Sequence, residues 1–262
     1  VEYQSSIVAS PILDVSAPLQ ASSWLDLVTA TDLLSHSLDE GQDRASGAQD
    51  GVHADHGPAY GTLMHDVLQR VVQVGPVSKE ERSAIIDSML SIRLAALDAH
   101  TLARSEISSV MDSAFVQTHV HLLAKASVET TLLAALDSTV LQGMMDVRFA
   151  VDATTMEVWD WKTNIVKSEA DIASLASAYA PQAQAYAWLC LQSFPEVQTV
   201  RTRLLFTKAA QSLPESWVVT QEWTREMSRE IEASIVNAVH AIIARRRKRS
   251  GMFYEEIEVN QN

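Results

Sequence analysis

Apolar and polar positions along the chain follow two regimes that change near Lys125. Before it, spacing is helical: Tyr60, Leu63, Val67, Leu68 and Val71 form one stripe, predicting a helix over 60–74. Ser78 with Glu81 three residues later reads as a capping box, predicting a second helix to about Ala99, and a third is expected to about Ala124. Upstream, Trp24, Leu25, Val28, Leu33 and Leu34 make a shorter, imperfect stripe that is read as an N-terminal helix. After Lys125, Val128 to Leu133, Val140 to Val151 and Met156 to Asn164 are short, rich in Val, Thr, Met and Trp, and separated by Asp/Ser/Thr turns. They are expected to be strands of an antiparallel meander. A helix over Glu169 to Ser193, kinked or restarted at Pro181, should follow, then strands at Thr199 to Thr207 and Trp217 to Gln221, and a last helix from Thr224 to Arg247. This order implies an α/β or α+β domain around a central mixed β-sheet flanked by helices.

Composition narrows the picture. With 47% hydrophobic residues and only 8 Gly and 7 Pro in 262 residues, the chain as a whole is not disordered. Four of those glycines (Gly41, Gly47, Gly51, Gly57) fall in 41–57, which is read as a flexible insert. The net charge is −13, and five basic residues sit in one run, Arg245 to Arg249, so the rest carries −18. Such a surface repels phosphate and argues against a sequence-independent coating of DNA. One cysteine, Cys190, cannot close an internal disulfide or hold an iron–sulfur cluster and fits a reducing, cytoplasmic setting. No apolar run approaches the roughly 18 residues of a membrane span. The chain starts at Val1 on a polar stretch and is read as a piece of something longer.

Asp160 and Lys162 are two apart in Glu157-Val158-Trp159-Asp160-Trp161-Lys162-Thr163, so strand alternation points a carboxylate and an ammonium into the same space. A turn near Asp152 to Thr155 centres the strand pair near Ala153 and sets Asp146 beside Asp160, within reach of a shared hard cation. An ordinary cross-strand Asp–Lys salt bridge is the competing reading. His65 projects one turn beyond Gly61, a residue that permits close backbone approach. Tyr179, Gln182 and Tyr186 are spaced i, i+3 and i+7, one stripe if the helix runs through Pro181, offering a place for a base to stack.

In order and spacing these motifs resemble the RecB-like nuclease domain of the PD-(D/E)xK superfamily, the module C-terminal to UvrD/Rep-type helicases in RecB and AddA proteins. Gly61 to His65 is similar to its G-x-x-x-H, Gly143-Met144-Met145-Asp146 to its G-apolar-apolar-D, Asp160 to Thr163 to D-aromatic-K-T, and Gln182 to Tyr186 to Q-x-x-x-Y, with Tyr179 at the preceding aromatic position and Glu129 where the family carries a Glu. The resemblance implies a restriction-endonuclease-like core with a helical N-terminal part: residues 1–57 as N-terminal helix and insert, 58–250 as nuclease domain, 251–262 as tail. It implies Mg²⁺ or Mn²⁺ held by His65, Asp146, Asp160 and the main-chain carbonyl of Trp161, with Asp146, Asp160, Lys162, Gln182 and Tyr186 as the catalytic set. Lys162 would stabilise charge on the phosphate, while Gln182 and Tyr186 would position substrate or water. The implied substrate is single-stranded DNA delivered by a helicase motor during double-strand-break repair, with no membrane partner.

The family continues its first motif as H-x-x-L-E, whereas Gln69 follows Leu68 here, and the chain carries no G-x-x-x-x-G-K-[ST] loop, so ATP hydrolysis is not expected. His53, His56, Asp50 and Asp55 lie in the Gly-rich insert, where nothing would hold them as a metal site. His119 and His121 face apart on a helix. Arg245 to Arg249 suits either DNA phosphate or a helix C-terminus. Two readings stand beside the nuclease: a catalytically silent module that binds DNA or a partner, and an acidic protein-interaction domain.

Overall fold

The computed structural model describes residues 26–35, 57–93 and 97–259. The elements in chain order are β1 (Asp26–Thr29), α1 (Gly57–Val74), α2 (Lys79–Arg93), α3 (Leu97–Asp112), α4 (Ala114–Leu123), β2 (Ser127–Leu136), β3 (Thr139–Ala150), β4 (Thr155–Lys162), α5 (Glu169–Ser193), β5 (Thr199–Phe206), β6 (Val218–Thr224) and α6 (Ser228–Val259). The six strands form one mixed sheet flanked by helices, the arrangement of a restriction-endonuclease-like α/β fold. β2, β3 and β4 are the expected antiparallel meander, β5 runs parallel to β4 after the α5 crossover, and β6 is antiparallel to β5.

Each face of the sheet carries its own core. On one, the stripe Tyr60, Leu63, Met64, Val67, Leu68 and Val71 of α1 packs with α2 to α4 against Val147, Phe149, Trp159 and Trp161. The rings of Phe115, Phe149 and Trp161 surround Trp159 at 5.0, 5.3 and 5.9 Å between centroids. On the other face, α5 and the stripe Ile231, Ile235, Val239, Ile242 of α6 cover Val28, Leu141, Met145, Met156 and Val158. α5 lies between sheet and α6, so its buried positions from Gln182 to Leu191 run almost all the way round the helix.

Four expectations are corrected. Residues 26–29, read as part of a helix, form β1, which pairs in parallel with the start of β3; a four-residue strand is too short to show a period of its own. The third helix, expected to about Ala124, splits at Ser113, whose side chain accepts from the Val116 amide as an N-cap. α5 does not restart at Pro181 but is one continuous helix through it, its burial on two sides outweighing the lost backbone hydrogen bond. The last helix, expected over Thr224 to Arg247, spans Ser228–Val259. The insert at 41–56, with His53 and His56, lies outside the described residues.

Candidate active site

The β3–β4 register pairs Val147 with Trp159 and Arg148 with Val158, which centres the hairpin on Ala153 and puts Asp146 and Asp160 one step past the last pair. At that step strand alternation breaks. Leu141 and Met145 pack with the α5–α6 core, but Val147 and Phe149 pack with the α1–α4 core, although all four have odd numbers. β2 changes face at the same level, between Val128 and Leu132, and Glu129, opposite Asp146, has φ +46°. This is left-handed backbone, which a Glu adopts at a cost. The break frees Asp146 from the ladder and turns its carboxylate to the junction of the two layers.

α1 approaches that junction from the helical side. A Cβ on Gly61 would lie 3.2 Å from Thr163 Oγ1, so only glycine lets the helix sit this close to the end of β4 without displacing a neighbour. One turn on, His65 Nδ1 is 3.2 Å from Asp146 Oδ1, and the Trp161 amide donates to Asp146 Oδ2 at 2.7 Å. Burial would raise the Asp146 carboxyl, but the hydrogen bond and charge of His65, with the Trp161 amide, hold it below the usual carboxylate range. Burial likewise works against a charged His65, yet Asp146 and Asp160 raise its pKa.

Asp160 and Lys162 face α5. The Lys162 ammonium lies 2.5 Å from Asp160 Oδ2 but off the axis of a good hydrogen bond, which leaves that buried oxygen without a well-aligned donor. Burial pushes the Asp160 carboxyl up to about 6, the Asp146 charge adding to it and Lys162 opposing. Lys162 Nζ also donates to Gln182 Oε1 at 2.8 Å and sits 4.0 Å from the centroid of the Tyr179 ring, whose hydroxyl donates to Asn164 Oδ1 at 3.0 Å. Gln182 Nε2 in turn donates to the Tyr186 hydroxyl at 3.0 Å.

The structure thus brings together His65, Asp146, Asp160, Lys162, Gln182 and Tyr186. It does not give Tyr186 the base-stacking position considered from its helical spacing: the ring is buried against Gly143 and hydrogen-bonded inward. Nor do His65, Asp146 and Asp160 form a ready cage; among the described residues no three His, Cys, Asp or Glu side chains stand as one. Instead His65 pairs with Asp146 and Asp160 with Lys162. The donor set still fits a hard divalent cation: two carboxylates and an imidazole, one carboxylate oxygen being buried without a proper donor. The site also rests on a network that no motif signalled: the Thr207 hydroxyl reaches the Lys162 carbonyl at 3.3 Å, and Glu106 accepts from Tyr60 at 2.7 Å and from Thr207. Glu106 reads in sequence as an ordinary helix surface residue, and only its partners from α1 and the turn after β5 give it a role.

No curated protein matches the chain. Among solved structures, a candidate exonuclease from Eubacterium rectale aligns at TM-score 0.46 and 8% identity, covering 82% of this chain and 79% of its own. An alkaline exonuclease from Laribacter hongkongensis aligns at TM-score 0.31 and 14% identity, covering 74% and 98%. A family model, that of the PD-(D/E)XK nuclease superfamily, matches residues 40–260 and so takes in every element from α1 to α6. On that extent, the chain belongs to the PD-(D/E)XK nuclease superfamily.

Proposed function

We propose that this chain is a RecB-type deoxyribonuclease that depends on Mg²⁺ or Mn²⁺ and hydrolyses phosphodiester bonds in single strands fed to it by a helicase motor. The observation that carries the reading is the end of β4, where Asp160 and Lys162 share one buried space with Asp146 and Asp160 Oδ2 lacks a well-aligned donor. His65, Asp146, Asp160 and the Trp161 carbonyl would hold the cation, which when bound supplies Lewis acidity toward phosphate oxygen and water. The residues of the chain do the rest. Asp146 is oriented by the Trp161 amide and kept ionised. Lys162 sets positive charge where the scissile phosphate gains negative charge, and Gln182, braced by the Tyr186 hydroxyl, holds that ammonium in line. Placement after a helicase, an exonucleolytic cut and a cytoplasmic role in break repair follow from the motif order resembling RecB. Delivery by a motor also reconciles a DNA substrate with a net charge of −13.

The test is end-labelled single-stranded DNA incubated with Mg²⁺, Mn²⁺ or EDTA. Shortening with either cation and none with EDTA is expected. A protein that binds the strand without shortening it is the silent module, and one that does neither is the acidic interaction domain.

A further inference from the structure

The sheet has one face that no described element covers. Helices α1 to α4 lie over the second half of β3, but over its first half no described helix lies on the side opposite α5. There Leu27 and Thr29 of β1, Val140, Gln142 and Met144 of β3, and Thr131, Leu133 and Ala135 of β2 stand side by side in register. All are exposed or half-exposed, with Leu133 and Met144 at 58% and 56%. None is charged, in a chain of net charge −13. One end of this face abuts Asp146, two residues from Met144. The other is the β1 margin, where Arg246, ion-paired with Asp32 at 2.9 Å, donates to the Leu27 carbonyl at 2.8 Å and brings in the α6 basic run, with Arg247 and Lys248 exposed. From Val140 to Asp146 the span is about 20 Å.

We infer that this open face is the track of the single DNA strand, its bases lying on Leu133 and Met144 and its phosphates reaching the α6 basic run at the β1 edge. The inference rests on the nuclease reading above and adds where the strand lies. Three features carry it. Solvent reaches the His65–Asp146 part of the site, next to this face, more than the rest, the side chains of His65 and Asp146 being 33% and 18% exposed and those of Asp160 and Lys162 only 9% each. The face is a patch without acidic residues running into the site of an acidic chain. Cations stand at its far end, so a polyanion on it meets charge of the right sign.

Met144→Glu/Leu133→Glu and Arg247→Glu/Lys248→Glu would be compared with wild type for binding of fluorescent oligothymidylate and for cleavage, with Ile92→Glu, an exposed position on α2, as control. Circular dichroism and sedimentation accompany each variant. Affinity should fall on the order of tenfold or more in both double variants, with the salt dependence shallower in the Arg247/Lys248 one, while Ile92→Glu behaves as wild type. Folded variants that bind and cut as wild type does would overturn the track and leave the nuclease reading standing. So would a wild-type dimer that Met144→Glu/Leu133→Glu dissociates without loss of DNA affinity, because the face would then be a protein interface. A wild type that neither binds nor cuts DNA would overturn the nuclease reading, and the track with it.

Discussion

Lys162 has three N–H directions and three partners: the Asp160 carboxylate, Gln182 Oε1 and the face of Tyr179. An ammonium held this way acts as a fixed charge, so Lys162→Ala should lower cleavage on the order of 10²–10³. Its metal-induced thermal shift should survive, because Lys162 is not a ligand. Cleavage at the wild-type rate would make the pair with Asp160 a structural salt bridge. A second buried acid, Glu157, has a different task. It accepts from Trp159 Nε1 at 2.8 Å and from Arg203 Nη2 at 2.7 Å, away from the site. Burial works to raise its carboxyl, but the hydrogen bonds from Arg203 and Trp159 and the Arg203 charge hold it below its ordinary 4.5. A depressed folded pKa gives stability that is full above the unfolded value and lost as pH falls through the folded one. Urea midpoints of wild type and Glu157→Gln should therefore differ most at neutral pH and converge in acid below about 4.5. Parallel pH curves for the two proteins would remove Glu157 from the acid response.

At the scale of elements, the site depends on how closely α5 lies on β3. A Cβ on Gly143 would lie 2.6 Å from Leu189 Cδ1 and 3.0 Å from the Tyr186 ring, both packed in the α5 core. Gly143→Ala should destabilise the fold by about 1–3 kcal/mol through overpacking. It should also push Tyr186 away from Gln182 and so lower cleavage more than it lowers folded population. Melting curves and single-turnover rates separate the two effects; activity that follows stability alone would make Gly143 a packing residue only. The motif glycine was legible in sequence, and its reason was not, because the atoms it avoids come from a helix more than 40 residues downstream.

Across the whole molecule, α1, β3 and β4, which carry His65, Asp146 and Asp160, meet only when both cores form, so a bound cation should stabilise the entire fold. Mn²⁺ or Mg²⁺ is expected to raise the melting temperature of wild type by RT ln(1 + [L]/Kd) in free energy and to leave Asp160→Ala unmoved. Equal shifts in both proteins would exclude Asp160 as a ligand. The sequence by itself determined the meander, its centre at Ala153 and the Asp160–Lys162 pairing, because strand alternation and short turns are local rules that a few residues express. It also determined that the described residues from 57 to Lys125 are mainly helical and that α1 carries an apolar stripe, through a repeat that one face of a helix imposes. Only the tertiary structure decided that 26–29 is a strand, that α5 runs through Pro181, that Tyr186 points inward and that alternation breaks at Asp146. Each of these depends on contacts between residues far apart in the chain, where burial outweighs local preference and no local pattern records the outcome.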